Sequence, residues 1–251
     1  MINLPTTPPA NLDKAELDRF ARLANDWWNP GGKFRPLHKI GPARLGFIRD
    51  RAVAHFRLAS GTAKLLRGLS ILDIGCGGGL ICEPLARLGG AVTGIEPAEA
   101  NIGAARRHAE SSGLAIDYRA VSAEDLAAEG RRFDLVVCLE VVEHVPDPAA
   151  FIGVCANLVR PGGLLILSTI NRSAKAYLLA IVGAEYVLRW LPVGTHQWDR
   201  FITPAELGEH VRRAGLDNLV CEGLVYNPLQ DRWSLGRDTD VNYIGAAAKP
   251  A

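Results

Sequence analysis

The chain has 251 residues, of which 48% are hydrophobic, so it can build one large or two small globular domains. Its 28 lysines and arginines balance 27 acidic residues at a formal net charge of +1, which gives no electrostatic basis for nucleic-acid binding. The five cysteines are scattered without a C-x-x-C pair, which argues against a disulfide framework or structural zinc. Without a secretory leader or a membrane-spanning apolar run, a cytoplasmic protein is predicted.

The N-terminal region is predicted to hold a loose tail, residues 1–11, and then two helices within residues 12–60. The tail is rich in proline, and helical spacing of apolar residues begins in KAELDRFARLANDWW. The segment NPGGKFRP breaks that pattern, which resumes in ARLGFIRDRAVAHFRLA, where Pro42 suits a first helical turn.

A second region, residues 61–251, shows short apolar runs alternating with helical segments, the pattern of βαβ units in a parallel sheet. The predicted strands are SILDIG, AVTGIE, AIDYRAV, FDLVVCL and LLILST. The predicted helices between them are LICEPLARLG, EANIGAARRHAESSG, SAEDLAAEG and DPAAFIGVCANLV. The sequence Pro161-Gly162-Gly163 is expected to end the last of these helices.

The C-terminal part begins with an amphipathic insertion at residues 172–200, after which Thr203 and Pro204 open another helix. The closing strands NLVCEGLVYN and VNYIGAAA are joined by the polar segment QDRWSLGRDTD, and a connection without a helix predicts an antiparallel pair. The expected fold is therefore α/β and Rossmann-like, a doubly wound seven-stranded sheet with an antiparallel final strand pair and an N-terminal helical lid.

The glycine-rich segment ILDIGCGGG lies where such a sheet binds ligands, beyond the carboxyl ends of its strands. A tight turn without a ligand is one interpretation, and a nicotinamide dinucleotide site is another. The dinucleotide fingerprint requires a third glycine at the position of Leu80, whereas the glycines here follow a G-x-G-x-G spacing. Asp73 would repel a pyrophosphate but could hold a cation such as an α-amino group.

The segment LDIGCGGG, with Glu96 at the end of the next strand, resembles the S-adenosylmethionine site of class I methyltransferases over residues 70–169. The resemblance implies that Gly75 and Gly77 line the methionine moiety and that Asp73 helps to hold its ammonium group. It also implies that Glu96 accepts hydrogen bonds from the ribose hydroxyls.

Three further residues match cofactor positions of the same family. The resemblance places Ala123 and Glu124 at the adenine edge and Leu139, just past the fourth strand, over the adenosine. Glu124 is equally well explained as an acidic residue favoured by the dipole at a helix N-terminus.

The segment LEVVEHVPDP follows the fourth strand at the same edge of the predicted sheet. If the chain turns after Leu139, then Glu140, Glu143 and His144 have the i, i+3, i+4 spacing that brings side chains to one side. Such a group could ligate a divalent ion or supply a general base. A solvated helix start before Pro146 explains the same charges without a site.

Segments outside the cofactor motifs resemble a narrower family, the ubiquinone biosynthesis O-methyltransferases. The matching segments are WWNPGGKFRPLHKIGPARLGFI, LEVVEHVPDP, VGAEYVLR, GTHQWDRFITPAEL and DVNYI. This resemblance implies methylation of catechol-type hydroxyls of 3-demethylubiquinol and 2-polyprenyl-6-hydroxyphenol, with other quinone-biosynthesis enzymes as possible partners. It also implies that Glu140, Glu143 and His144 hold Mg²⁺. Another small-molecule C- or N-methyltransferase, or a nicotinamide-dependent dehydrogenase, stays open as an alternative.

Three further expectations accompany the narrower resemblance. Arg44 matches a position that reaches the cofactor and would pair with its carboxylate, although a surface arginine on an amphipathic helix is the other interpretation. The stretch around it, from Trp27 to Phe47, is expected to act as a lid that excludes water from the pocket. The insertion at residues 172–200 combines aromatic and apolar bulk with cationic flanks, a composition suited to an anionic lipid surface. We therefore expect peripheral attachment to the inner face of the cytoplasmic membrane, or a helix pair that roofs the active site.

Overall fold

The computed structural model describes residues 23–59, 61–179 and 197–251. Within these ranges one sheet contains the strands β1 Ser70–Ile74, β2 Ala91–Ile95, β3 Asp117–Arg119, β4 Phe133–Leu139, β5 Val159–Ile170, β6 Asp217–Asn227, β7 Arg232–Gly236 and β8 Asn242–Ala248. Their order is β3-β2-β1-β4-β5-β8-β6-β7. The predicted tail at residues 1–11 and most of the first predicted helix lie outside the described residues.

The first five strands are parallel, and their order reverses between β1 and β4. This reversal creates the crevice in which doubly wound folds bind ligands. Asp73, near the end of β1, lies in register with Gly94 on one side and Val137 on the other. The glycine-rich segment therefore leaves the sheet at its centre, and the α/β, Rossmann-like class predicted from the sequence is confirmed.

The predicted antiparallel pairing of the closing strands is confirmed, but the sheet has eight strands and not the predicted seven. β8 pairs antiparallel with β6, as the helix-free connection predicted, and it also pairs antiparallel with β5. The additional strand is β7, which forms inside the polar segment QDRWSLGRDTD and pairs antiparallel with β6. Its alternate residues Trp233 and Leu235 pack into the apolar core, and this burial outweighs the polar composition of the segment.

Helices cover both faces of the sheet. Their bounds are α1 Arg35–Phe56, α2 Cys82–Arg87, α3 Glu99–Ser111, α4 Ala123–Ala128, α5 Pro148–Leu158, α6 Ala174–Ala176 and α7 Pro204–Arg213. One apolar cluster joins the sheet to α1, α2 and α3, and a second joins the opposite face to α4, α5 and α7. In the part of the chain that the structure describes, every helix is too short or too polar to cross a bilayer.

Two local predictions are wrong. Pro42 lies inside α1, because the helix begins at Arg35 and it is Pro36 that occupies the first turn. The segment Pro161-Gly162-Gly163 lies within β5, since α5 already ends at Leu158. There the register between β4 and β5 shifts, and Gly162 adopts a φ of 72° that favours glycine.

Candidate active site

The glycine loop, residues 75–79, directly follows β1 and is hydrogen-bonded to the end of β2. Gly75 donates its backbone N–H to the carbonyl of Ile95, and its φ of 69° lies in the left-handed region. A Cβ on Gly75 would lie 2.5 Å from Cγ2 of Val141, and one on Gly77, at a φ of 50°, would overlap the indole of Trp27. Both glycines are therefore required by conformation and by close approach.

Two buried carboxyl groups flank this loop. Burial raises the pKa of Asp73 to about 7, although the Cys82 thiol donates a hydrogen bond to Oδ2 at 3.2 Å. Burial also raises the pKa of Glu96, whose Oε1 accepts the backbone N–H of Ala98 at 3.1 Å. Asp73 lies close enough to Glu96 and Arg44 for their charges to act on it. The crevice thus holds carboxyl groups that gain from a cationic or hydroxyl-rich ligand.

The start of α4 lies beyond the end of β3. Ser122 caps this helix in a reciprocal capping box with Asp125, so Glu124 is not needed for capping. Ala123 is buried, and Oε1 of Glu124 is buried without a hydrogen-bond partner in the described part of the chain. Leu139 is the last residue of β4 and is partly exposed. An unpaired buried carboxylate oxygen at this position suits a ligand that donates a hydrogen bond.

Arg44 is buried, so its interpretation as a surface arginine is wrong. The side chain is 5% exposed and lies 2.9 Å from Oε1 of Glu140, at the end of β4. The same oxygen accepts a hydrogen bond of 2.7 Å from Ser168. Glu140 has a φ of 55°, an uncommon conformation for a residue with a side chain. The ion pair therefore joins α1 to the turn that follows β4.

Replacing Arg44 by methionine should lower the free energy of unfolding by about 2–3 kcal/mol, because Glu140 would lose its buried partner. Adding Glu140→Gln should recover about half of this loss, since an amide leaves no unpaired charge. Urea unfolding measures both effects. The control is Arg49→Met on the same helix, whose exposed pair with Asp50 should contribute less than about 0.5 kcal/mol. A double variant no more stable than Arg44→Met would contradict the assignment.

The acidic turn, residues 140–144, follows β4, and its second acid, Glu143, faces the end of β5. Thr169 donates a hydrogen bond of 2.7 Å to Oε2 of Glu143, while Oε1 is buried and unpaired among the described residues. Burial and the nearby charge of Glu140 raise the pKa of Glu143 to about 8. His144 ends the same single turn, Val142–His144, and is partly exposed. The structure therefore brings Glu140 and Glu143 together, and His144 follows at their edge.

The predicted magnesium site is not supported. Within residues 23–59, 61–179 and 197–251, no group of three or more His, Cys, Asp or Glu side chains is placed to hold a metal ion. Glu140 is instead held by a guanidinium and a hydroxyl, and Glu143 by a hydroxyl. Because Arg44 and Ser168 hold Glu140 and Thr169 holds one oxygen of Glu143, these described side chains do not form a ligand set for Mg²⁺.

Sequence reasoning missed Ser168 and Thr169, although a signal was present. They are the polar residues at the carboxyl end of the otherwise apolar strand LLILST, at the edge where ligands bind. It also missed Asn101, which is fully buried on α3. No local pattern distinguishes Asn101 from other polar residues of an amphipathic helix.

Comparison with known proteins identifies the family. A family model described as "Methyltransferase domain" matches residues 47–220. A ubiquinone biosynthesis O-methyltransferase from Chelativorans sp. is 54% identical, with 98% of each chain covered. The chain belongs to the ubiquinone biosynthesis O-methyltransferases. Another ubiquinone biosynthesis O-methyltransferase, from Cereibacter sphaeroides, is 52% identical over 96% of this chain and 98% of its own length.

The solved structures agree with this family at the level of the fold. The magnesium protoporphyrin IX methyltransferase from Synechocystis PCC 6803, determined with bound S-adenosylhomocysteine, superposes with a TM-score of 0.64. It is 20% identical, and 94% of this chain and 95% of that chain are covered. At this identity the likeness supports the class I methyltransferase fold alone.

The chain is therefore an S-adenosylmethionine-dependent methyltransferase, and the dehydrogenase alternative is wrong. The described residues fit S-adenosylmethionine. Three of the buried polar atoms without partners in the described ranges are in positions that suit the cofactor: Nε of Arg44, Nδ2 of Asn101 and Oε1 of Glu124. Such atoms carry a desolvation penalty that a polar ligand can offset.

Proposed function

We propose that this chain methylates a catechol-type hydroxyl of polyprenylated rings, converting 3-demethylubiquinol to ubiquinol and 2-polyprenyl-6-hydroxyphenol to its methoxy product. The observation that carries the proposal is the contact between the acidic turn and the glycine loop. Val141, between Glu140 and Glu143, packs directly against Gly75. The groups proposed to act on the acceptor therefore adjoin those proposed to hold the methyl donor.

The cofactor roles are proposed from the resemblance to class I methyltransferases, and the burial of these residues around the crevice supports them. Gly75 and Gly77 would line the methionine moiety, and Asp73 would attract its ammonium group. Glu96 would accept from the ribose hydroxyls, and Glu124, next to Ala123, would accept from the adenine amine. When bound, S-adenosylmethionine supplies an electrophilic methyl group on a sulfonium sulfur. The chain then has to align a nucleophilic oxygen with that methyl group.

The acceptor oxygen has to lose a proton. A phenol has a pKa near 10, so at neutral pH it is a poor nucleophile until a base removes its proton. His144, partly exposed at the edge of the acidic turn, is the proposed general base. Arg44 is proposed to hold the cofactor carboxylate through its unpaired Nε while its other side stays on Glu140.

Turnover of a short-chain demethylated quinol tests this function. With S-adenosylmethionine carrying a deuterated methyl group, we expect the label on a ring oxygen of the product, as read by mass spectrometry. Label on a ring carbon, or on an amine acceptor only, would indicate the C- or N-methyltransferase alternative. Because no step above uses a metal, excess EDTA should leave the rate unchanged. A rate lost to EDTA and restored by Mg²⁺ would show that the reaction depends on a metal ion and would contradict the metal-free proposal.

The affinity for S-adenosylhomocysteine should rise with pH. The pKa of Asp73 in the empty crevice is about 7, and an ammonium group favours the ionised carboxylate. At lower pH the ligand has to displace a proton, so affinity should increase about tenfold from roughly pH 5.5 to pH 7. Calorimetric titrations across this range measure the slope. Asp73→Asn should bind more weakly with a flatter profile, and a wild-type profile as flat as that of the variant would contradict the role.

A membrane-facing role is proposed for the insertion. Among its described residues, Tyr177, Leu178, Leu179 and Trp198 are 48%, 60%, 55% and 41% exposed. The flanking cations Arg172 and Lys175 form ion pairs with Glu206 and with Asp238 and Asp240, so the apolar side chains would carry most of the attachment. Residues 180–196 of the insertion lie outside the described residues.

Co-sedimentation with liposomes measures this attachment. We expect the wild type to pellet with anionic phospholipid vesicles and Leu178→Ser/Leu179→Ser to pellet several-fold less. Leu229→Ser is the control, because Leu229 is 96% exposed in the β6–β7 turn. Equal partitioning of all three proteins would contradict the proposal.

Association with other quinone-biosynthesis enzymes is also proposed, from the resemblance alone.

A further inference from the structure

Asn101 has a fully buried amide that lies between Glu96, the proposed ribose-binding acid, and Trp27 of the proposed lid. Its Oδ1 accepts a hydrogen bond of 2.9 Å from the indole Nε1 of Trp27. Its Nδ2 has no hydrogen-bond partner within the described ranges. The side chain nevertheless lies beside Glu96 and lowers the pKa of that carboxyl, against the larger upward effect of burial. Oδ1 of the amide is thus satisfied by Trp27, whereas Nδ2 lies on the side of Glu96 without a hydrogen bond in the described part of the chain.

The tryptophan pair Trp27 and Trp28 lies directly on the glycine loop. A Cβ on Gly77 or on Gly78 would overlap the indole of Trp27. Trp28 donates a hydrogen bond of 2.9 Å to the carbonyl of Gly78. The loop proposed to hold the methionine moiety is therefore covered by two aromatic rings from the N-terminal region.

Each ring of the tryptophan pair is also fixed from its other side. Trp27 stacks on Phe34 with ring centroids 3.7 Å apart, and its backbone carbonyl lies 2.8 Å from Nε2 of His38. Trp28 stacks on His108 of α3 at 3.4 Å. Aromatic stacking of this kind stabilises the rings beyond simple burial. The cover formed by Trp27 and Trp28 therefore has one defined position, to which the hydrogen bond from Trp27 to Asn101 contributes.

We infer that Asn101 is a positioning residue that couples cofactor binding at Glu96 to closure of the tryptophan pair over the glycine loop. Ribose hydroxyls would fix the Glu96 carboxylate in its ionised form, and Nδ2 of Asn101 would then donate to it. The amide, held at both ends, keeps Oδ1 aligned with Trp27. A buried donor without a partner is costly, so cofactor and closed cover stabilise each other, and the linkage is reciprocal.

This inference concerns the methyl donor and does not depend on which acceptor is methylated. It predicts that the hydrogen bond between Asn101 and Trp27 contributes to cofactor affinity as one unit. Trp27→Phe removes the N–H but keeps an aromatic ring, and Asn101→Leu removes the amide at similar volume. Each variant should weaken binding of S-adenosylhomocysteine about fivefold to tenfold. The double variant should be no weaker than the worse single variant, because both changes remove the same interaction.

Fluorine NMR on protein labelled with 5-fluorotryptophan reports the cover directly. The Trp27 resonance is assigned by its loss in Trp27→Phe. We expect S-adenosylhomocysteine to shift it in the wild type and to leave it nearly unmoved in Asn101→Leu. Trp233, which packs against Tyr226 on the far strands, is the internal control and should not shift in either protein. The KM for S-adenosylmethionine should rise more than kcat falls in both single variants.

Independent losses would overturn the inference. If the double variant loses the product of the two single effects, or if Trp27 responds to ligand equally in wild type and Asn101→Leu, Asn101 does not couple the two sites. Should Asn101→Leu fail to fold, wild-type affinity in Trp27→Phe would overturn it alone. In each case the binding of S-adenosylhomocysteine by the wild type would still support the cofactor assignment.

Discussion

Replacing His144 by alanine should lower kcat for methyl transfer about 100- to 10,000-fold, the range typical of a lost general base. The affinity for S-adenosylhomocysteine should stay within about twofold, because His144 is assigned to the acceptor and not to the donor. The reason is the acidity of the acceptor, since a phenol with a pKa near 10 is almost entirely protonated at neutral pH. Single-turnover measurements with a short-chain demethylated quinol separate the chemical step from product release.

The pH profile distinguishes lost base catalysis from a general loss of structure. The His144→Ala rate should increase about tenfold per pH unit up to the pKa of the phenol, because hydroxide and solvent then supply the phenolate. The matched control is His210→Ala, on α7, which should keep wild-type kcat. If His144→Ala keeps kcat within about threefold, or falls without regaining rate at high pH, His144 is not the base.

Replacing Glu96 by alanine should weaken the binding of S-adenosylhomocysteine roughly 30- to 1,000-fold. Hydrogen bonds from two hydroxyls to one carboxylate are worth about 2–4 kcal/mol in total at a buried site. The fold should not be destabilised, because burial raises the pKa of Glu96 and ionising it in the empty crevice costs free energy. Isothermal titration calorimetry gives the affinity, and urea unfolding at the same pH gives the stability.

The neighbouring acid offers a matched control. Glu99, at the start of α3, has a side chain that is 70% exposed and pairs with Arg106 at 3.1 Å. Glu99→Ala should therefore change the affinity for S-adenosylhomocysteine by less than about twofold. If Glu96→Ala binds as tightly as Glu99→Ala, the ribose is held elsewhere. A large loss of stability in Glu96→Ala would instead show a structural role.

Much of the fold could be predicted because its evidence is local in the sequence. Strands β1, β2 and β4 are short, mostly apolar runs, and the acids Glu96 and Glu140 directly follow β2 and β4. The intervening helices show regular amphipathic spacing. The glycine loop could be located because the residues that follow Asp73 require positive φ angles. These features depend on neighbours within one turn or one strand.

The missed features depend on contacts between distant residues. The polar segment containing Trp233 becomes a strand because it packs on α1, almost 200 residues earlier in the chain. The ion pair of Arg44 with Glu140 and the hydrogen bond of Trp27 with Asn101 likewise join separate elements. The family resemblance predicted that Arg44 and Trp27 lie near the crevice. It did not predict which groups they contact, because a sequence pattern carries no information on tertiary partners.

The structure of the complex with S-adenosylhomocysteine tests the assigned cofactor crevice most directly. We expect the ligand at the carboxyl ends of β1 and β2, with its ribose hydroxyls on Glu96, its ammonium group near Asp73 and its adenine beside Glu124. The backbone of Gly75 and Gly77 should run along the methionine moiety under Trp27. A complex with the nucleoside bound elsewhere and this crevice empty would contradict the assignment of every cofactor residue above.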